Sequence, residues 1–451
     1  MGDPRLKWAG ARKKGSGQDF GRVEDLMAND NAFQISSSNL RFGFGCNREV
    51  GLDLRELGSR RVLLIVDPAV VDLYSGQTVL ESLRTNNIDF ALYTDVQTEP
   101  TDESFRRATE FAVEGRFDSL VAVGGGSTID TAKGANLYST HPADFFDYVN
   151  APIGKGLPVP GPLKPLIAIP TTAGTGSETT GTAIFDWREK HVKTGIAHRY
   201  LRPTLGIVDP ENTRSQPPAV AASTGLDVLS HALESYTVVH YTARPMPARP
   251  TERPAYQGNN PISDQWALQA LRMVRDYLVR AVDDTTDDEA RYEMALASSI
   301  AGIGFGNAGV HLPHGMSYPV AGLVKGYLPP GFQVDHPLVP HGISVILNTP
   351  AVVRFTALTD PRRHLACAEA LGADITDAPL ESAGQLLSDV IIEFMRKLKV
   401  PNGLAAVGYT AADIPALVEG TLPQHRVTKL SPRPASPEDL AVLFRESLTL
   451  W

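Results

Sequence analysis

An α/β nucleotide-binding domain followed by an all-helical domain is the fold class this sequence predicts. Three observations predict it. Short β-branched runs alternate with helical patterns through roughly the first half of the chain. Several of those runs end in loops rich in Gly, Ser and Thr. After "QPPAV" (216–220) the periodicity turns helical and strand-like runs fade. Strand–helix alternation implies a mostly parallel sheet covered on both faces. The organisation expected is an N-terminal tail (1–37), an α/β dinucleotide-binding domain (38–215) and a helical metal-binding and substrate domain (216–451).

The elements follow in order. "RVLLIVD" (61–67) is a continuous apolar run ended by Pro68, the pattern of a buried strand. "FALYTDV" (90–96), "SLVAVGGGS" (119–127), "PLIAIPTT" (165–172) and "LGIVDP" (205–210) repeat it. Between them, residues 102–114 place Phe105, Ala108, Phe111 and Ala112 at helical spacing, with Asp102 as the expected N-cap. In the second half, "STGLDVLSHALESY" (223–236) is helical by pattern, with Ser223 or Thr224 available as cap. "SDQWALQALRMVRDYLVRAV" (263–282) and "DDEARYEMALASSIAGIGF" (287–305) continue in kind. The proline-rich stretch 240–263 cannot be helix throughout and is expected to be an ordered irregular loop.

Composition narrows the function classes. The 451 residues carry 42 Lys and Arg against 51 Asp and Glu, a net charge of −9 that argues against a nucleic-acid surface. No apolar run approaches the length of a membrane span. Two cysteines, Cys46 and Cys367, give no disulfide framework and suit a reducing compartment. The basic first 20 residues lack the apolar centre of a secretory signal, so they fit a loose tail or the remnant of an organelle transit peptide. A cytoplasmic location is expected, with the mitochondrial matrix as the alternative.

"VAVGGGSTIDTAKG" (121–134) reads as strand, glycine turn and helix start. Its glycines let backbone approach a ligand closely, and the free N–H groups of a helix starting near Thr128 would face a pyrophosphate. Asp130 falls in the first turn of that helix, where it can also act as an electrostatic cap. Asp67, at the end of a strand, suits a ribose diol and would repel a 2′-phosphate, which favours NAD over NADP; it also fits a plain turn residue before Pro68. "IPTTAGTGSETTGTAIFD" (169–186) packs Thr171, Thr172 and Thr175 among glycines after another strand. Two such loops on one sheet point to a nucleotide site at the strands' carboxyl ends.

Asp227 and His231 are four apart on a predicted helix and share a face. The helical half adds His311, His314, His336 and His341. One carboxylate and three imidazoles would suit Fe²⁺ or Zn²⁺ with a position left open for substrate. His314 and His341 each begin a His–Gly step, which ranks them above His311 and His336 as ligands.

Taken together, "GGGSTIDTAK", "PTTAGTGSET", "GLDVLSHALESY", "NNPISDQWALQAL", "NAGVHLPHGMSYP" and "VPHGISV" resemble the iron-containing (group III) alcohol dehydrogenases over roughly residues 38 to 450. "AGIGFGNAGVHLPHGMSYP", "VDHPLVPHG" and "LPQHRVTKL" resemble a branch that passes hydride between hydroxy acids and oxo acids. The resemblance implies metal ligands Asp227, His231, His314 and His341. It implies cofactor contacts at Asp67, Gly125, Gly126, Ser127, Asp130, Thr171, Thr172, Thr175 and Lys193, for NAD and a divalent metal, Fe²⁺ first and Zn²⁺ second. It further implies small hydroxy-acid and oxo-acid substrates such as 4-hydroxybutyrate and 2-oxoglutarate, exchanged on a retained NAD, and a homo-oligomer. An alcohol dehydrogenase releasing free NADH and a dehydroquinate synthase-like lyase are the alternatives.

Two departures from the family pattern stand out. Members usually read H-G-M-A-H where this chain has "HGMSY", so Tyr318 takes the place of a histidine and becomes a catalytic candidate beside His311. The extra "KGYLPPGFQVDH" before His341 is expected to shape a pocket for an anionic substrate. Arg253, Lys325 and His311 are the candidates, by position, to hold a substrate carboxylate.

Overall fold

The computed structural model describes residues 29–190, 192–332 and 334–451. The first part is a six-stranded parallel sheet built from β1 (Asn39–Phe42), β2 (Arg61–Val66), β3 (Asp89–Tyr93), β4 (Ser119–Gly124), β5 (Leu166–Pro170) and β8 (Leu205–Val208). The spatial order is β1-β8-β5-β4-β2-β3. All five expected strands are present. The strand β1 and an antiparallel hairpin, β6 (Thr182–Trp187) with β7 (Val192–Ala197), are additions whose mixed polar sequences hid them.

Alternate side chains of each strand face opposite layers. Val62, Leu64, Val66, Val121, Val123, Ile167 and Ile169 pack with Val50, Leu54, Val79, Leu80 and Leu83 of α1 (Val50–Glu56) and α2 (Tyr74–Thr85). Leu63, Ile65, Leu120, Ala122, Leu166 and Ala168 pack with Ala108, Ala112, Ile129, Ala132 and Ala135 of α3 (Asp102–Gly115) and α4 (Gly126–Thr140). Burial on both faces is why these strands read as unbroken apolar runs. The chain leaves β2 for β3 on one side and returns to β4 on the other. A topological switch point therefore lies at the carboxyl ends of β2 and β4, where open α/β sheets bind ligands.

Helix starts differ from expectation in three places. Thr101, not Asp102, caps α3: its Oγ1 accepts from Ser104 N at 3.1 Å and its own N–H donates to Ser104 Oγ at 2.8 Å. The helix after the glycine turn begins at Gly126 rather than near Thr128. The helix carrying Asp227 begins at Pro218, because proline suits a first helical turn, so Ser223 and Thr224 are interior.

The remainder is helical: α5 (Pro218–Thr237), α6 (Pro261–Asp283), α7 (Asp288–Ala308), α8 (Leu312–Gly322), α9 (His341–Ile346), α10 (Thr349–Thr356), α11 (Pro361–Ala370), α12 (Ala383–Lys397), α13 (Ile414–Thr421), α14 (His425–Thr428) and α15 (Pro437–Ser447). One core, centred on Leu226, Leu229, Leu233, Leu271, Val274 and Ile346, joins most of them. Among the described residues no helix is long and apolar enough to cross a membrane. Cys46 and Cys367 are buried and unpaired.

The described part of the expected tail is tied down. Asp30 is buried and bound by Arg244 at 2.6 Å and by Arg253 at 2.9 and 3.0 Å. Gln34 N donates to Gln257 Oε1, and Ser36 N to Asn307 Oδ1, each at 2.9 Å. These contacts fasten it to α7 and to the proline-rich stretch, which is irregular up to the start of α6 at Pro261 except for two short 3-10 turns, at Tyr241–Ala243 and Pro250–Glu252. The expectation for residues 1–28 lies outside the described residues.

Candidate metal and cofactor site

The two nucleotide loops meet at the switch point. A methyl placed on Gly126 would come within 2.6 Å of Thr175 Cγ2, and one on Gly125 within 3.5 Å of the Thr172 side chain. Thr171 N donates to Gly124 O at 3.0 Å and locks the two loops together. Asp67 follows β2 next to Gly124; one oxygen accepts from Ala69 N at 2.9 Å. Burial raises its pKa, with that hydrogen bond opposing. No side chain caps α4, so the amides at its start are available to an anionic ligand. Ser127 lies in that first turn, its Oγ accepting from Glu99 N at 3.2 Å.

Asp130 lines the cavity described below together with Gly126 and Ser127. Its oxygens accept from Ser177 Oγ at 2.6 Å and Ile184 N at 2.9 Å, with Lys133 Nζ at 3.6 Å. These bonds fasten α4 to the threonine loop and β6.

On the helical side, α5 presents Asp227, His231 and Glu234 at i, i+4 and i+7, one face of one helix. The helices α8 and α9 bring His314 and His341 to that face. Asp227 Oδ1 lies 3.7 Å from His231 Nε2, 3.6 Å from His314 Nε2 and 3.8 Å from His341 Nε2. These separations exceed hydrogen bonds. They approach the spacing of about 3.4 Å expected between ligands held about 2.1 Å from one tetrahedral ion. Asp227 Oδ1 and His314 Nε2 are buried without a hydrogen-bond partner. The donor set therefore fits a divalent cation. Donor atoms of Asp227, His231 and His314 form the tighter group; His341 stands slightly apart and its side chain is 26% exposed.

Burial lowers the pKa of His231 to about 4 and of His341 to about 3, so both offer lone pairs at neutral pH. Burial also opposes charge on Asp227, but the surrounding imidazoles outweigh it and hold its carboxyl well below the usual range. Glu234 was not singled out by the sequence reasoning. Its Oε1 accepts from His314 Nδ1 at 2.6 Å and its Oε2 from His311 N at 2.6 Å. That bond assigns the Nδ1–H tautomer and turns Nε2 toward Asp227. The D-x3-H-x2-E spacing on a helix was the signal available for it.

The two His–Gly steps have a packing cause. A methyl on Gly342 would collide with the Ser223 carbonyl of α5, and one on Gly315 would come within 2.7 Å of Thr428 Cγ2 of α14. Glycine lets each ligand helix approach its neighbour closely.

A cavity of about 730 Å³ joins the two halves. Gly126, Ser127, Thr175 and Lys193 line it from the sheet side, and Asp227, His231, His314, His341, Tyr318 and Arg426 from the helical side. Asp67, Gly125, Thr171 and Thr172 lie outside this wall, along the loops that lead to it. The hairpin supplies Lys193, which is buried and ion-paired with Glu99; burial lowers its pKa to about 7. Tyr318 is buried and its hydroxyl accepts from Arg426 Nη2 at 2.9 Å.

Several expected contributors stand elsewhere. His311 does not line this cavity: its Nε2 faces Thr237 Oγ1 at 2.9 Å, because the chain enters α8 there with its N–H turned to Glu234. Arg253 is consumed by Asp30, and Lys325 by Asp413 at 2.7 Å on the surface. His336 is half exposed beside Asp335. The insertion before His341 contributes Val334, Asp335 and His336 to a neighbouring cleft near Trp187 and Arg188, not to the metal cavity.

A parallel sheet that presents nucleotide loops to a helix-borne cluster of metal-type donors is the arrangement of a nucleotide- and metal-binding enzyme. The comparisons with known proteins make this specific. Residues 37–210 match the iron-containing alcohol dehydrogenase family and residues 251–448 the C-terminal domain of the Fe-containing alcohol dehydrogenase family. The chain belongs to the iron-containing alcohol dehydrogenase family and is an oxidoreductase. It is 59% identical to the mitochondrial hydroxyacid-oxoacid transhydrogenase of Xenopus tropicalis, covering 93% of this chain and 91% of that protein. The protein of that name from Homo sapiens is 58% identical, with 94% and 91% covered. Among solved structures, a 1,3-propanediol oxidoreductase superposes with TM-score 0.81 at 27% identity, covering 92% of this chain and all of that one. A sulfoacetaldehyde reductase from Bifidobacterium kashiwanohense, solved with NAD+, gives 0.76 at 25% identity, with 93% and 99% covered.

Proposed function

We propose that this chain is a hydroxyacid-oxoacid transhydrogenase, taking hydride from 4-hydroxybutyrate onto a retained NAD and passing it to 2-oxoglutarate. The observation that carries this is the single cavity whose wall holds both the phosphate-loop residues Gly126 and Ser127 and the four-donor cluster of Asp227, His231, His314 and His341. The identity to relatives bearing that name supports the substrate class.

When bound, a divalent cation supplies Lewis acidity to the substrate oxygen and the nicotinamide accepts and returns hydride. A nicotinamide held there would take hydride from the carbinol carbon of 4-hydroxybutyrate, with loss of the hydroxyl proton to give succinate semialdehyde, and would give it to the keto carbon of 2-oxoglutarate, with uptake of a proton to give 2-hydroxyglutarate. Asp227 and the three imidazoles would hold Fe²⁺, with Zn²⁺ accepting the same ligands. Glu234 keeps His314 in the required tautomer, and Asp67 and the two loops hold the dinucleotide. Phe305, stacked on His231 at 3.9 Å, and Val310 keep that side of the cavity dry. Burial raises the pKa of Tyr318, with Arg426 opposing, so its phenol stays protonated and acts as a hydrogen-bond donor rather than a base. The relatives' names carry the word mitochondrial, which supports the mitochondrial matrix over the cytoplasm for this chain. Assembly into a homo-oligomer is carried over from the family resemblance.

The test uses purified protein with no added NAD. Addition of 4-hydroxybutyrate is expected to raise the absorbance of reduced nicotinamide in proportion to enzyme, and 2-oxoglutarate to bleach it. If signal needs free NAD and free NADH then accumulates, the alcohol dehydrogenase alternative replaces this reading.

A further inference from the structure

Among the described residues, Arg426 in the wall of the metal cavity has no counter-ion. Two cationic side chains, Lys193 and Arg426, line that cavity among the described residues, and Lys193 is already paired with Glu99. Among the described residues the Arg426 guanidinium meets no carboxylate: Nη2 donates to the Tyr318 hydroxyl, the Tyr256 ring lies 5.0 Å from its central carbon, and Nη1 is shut off from solvent with no partner there. A guanidinium shielded in this way is stabilised by an anion that can accept in its plane. Tyr318, whose oxygen accepts from Arg426, keeps its own O–H free to donate to the same anion. Tyr318 lies one helical turn beyond His314, so this pair is set a short, fixed reach from the metal donors.

We propose that Arg426 and Tyr318 form a carboxylate clamp that serves both half-reactions. This rests on the transhydrogenase reading above. The two substrates share one dimension. In 4-hydroxybutyrate the carboxylate carbon is three carbon–carbon bonds from the carbon that loses hydride. In 2-oxoglutarate the distal carboxylate carbon is three carbon–carbon bonds from the carbon that gains it. One clamp at one distance thus sets the reacting carbon of either acid at the same place, and hydride can leave and return through one geometry. It also separates hydroxy acids from simple alcohols, since an uncharged chain end would leave the guanidinium unsatisfied.

The test compares substrates of equal length with and without the carboxylate three bonds from the reacting carbon, in the holoenzyme: 4-hydroxybutyrate against 1-butanol, and 2-oxoglutarate against 2-oxopentanoate. In Arg426→Met, kcat/KM for 4-hydroxybutyrate and 2-oxoglutarate is expected to fall about 100-fold or more relative to the partner lacking that carboxylate, chiefly through KM. Arg426→Lys should recover part of the loss, and Tyr318→Phe should lose less than Arg426→Met. A parallel fall for substrates with and without that carboxylate marks a structural role and overturns the clamp. Loss confined to one half-reaction overturns its shared use. Calorimetric binding of glutarate, which cannot react, separates this from the function itself. If wild-type protein transfers no hydride yet glutarate affinity depends on Arg426, the clamp stands and the transhydrogenase reading fails; glutarate binding unaffected by Arg426→Met rejects the clamp whatever the turnover.

Discussion

Replacing Glu234 by Gln isolates the support of a single metal ligand. The carboxylate is fully buried and accepts three N–H groups: His314 Nδ1 at 2.6 Å, His311 N at 2.6 Å and His314 N at 3.4 Å. A carboxamide has one accepting oxygen, so in either orientation its NH2 confronts an N–H. Turned toward the imidazole, it forces the tautomer protonated at Nε2, where a cation needs a lone pair. Turned toward the backbone, it leaves buried amides unsatisfied at a cost of about 1–3 kcal/mol. Loss of such an orienting carboxylate weakens metal binding about 10- to 100-fold, or about 1.4–2.7 kcal/mol. Removing a negative charge from the site acts in the same direction. The assay is metal content after dialysis against graded chelator, with melting curves of stripped and reloaded protein. Wild-type metal affinity together with an unchanged melting temperature would refute this account of Glu234.

Three further outcomes are expected. His314→Ala should lose bound metal and turnover, whereas His311→Ala, outside the cavity, should keep its metal and cost about 0.5–1.5 kcal/mol of stability through the lost bond to Thr237, whose hydroxyl still donates to Leu233 O; equal metal loss in both, read by elemental analysis, contradicts the assignment. Gly126→Ala sets a methyl within 2.6 Å of Thr175 and should add about 1–3 kcal/mol of strain between the loops, weakening NAD in fluorescence titration while metal content holds. Unchanged NAD affinity would remove this contact from the cofactor site. Asp30→Asn tests the fastening of residues 29–36. Arg253 beside it, with Ala32 N and Arg244, outweighs desolvation and lowers the Asp30 pKa to about 2. Its contribution, about 1–2 kcal/mol, is therefore present above the unfolded value near 3.8 and lost as pH falls through about 2. Proteolysis of that segment should be faster in the variant near neutrality, and the difference should shrink below pH 4; a pH-independent difference counts against the ion pair.

The sequence by itself determined whatever is local or periodic. The four inner strands, β2, β4, β5 and β8, were legible because both faces of a parallel sheet are buried there, which writes each as a continuous apolar run; β3, at the edge and half exposed, was legible from its own apolar run. The glycine and threonine loops were legible because close backbone approach needs small residues in consecutive positions. Asp227 and His231 were legible because i, i+4 fixes a shared helix face whatever the helix packs against. Glu234 continues the same face, and its role was hidden only because its partner, His314, is 80 positions away. The His–Gly step ranked His314 above His311, and the tertiary structure supplies the reason. Three residues apart, they are parted by the start of α8, which turns one ring to Thr237 and the other to Asp227. Tertiary structure alone decided which cation serves the cavity: Arg253 and Lys325 had carboxylates within reach elsewhere, while Arg426 came from a short helix more than 100 residues beyond Tyr318 to stand against it. Whether a charged side chain is free or already paired depends on long-range neighbours, and no local pattern carries that information.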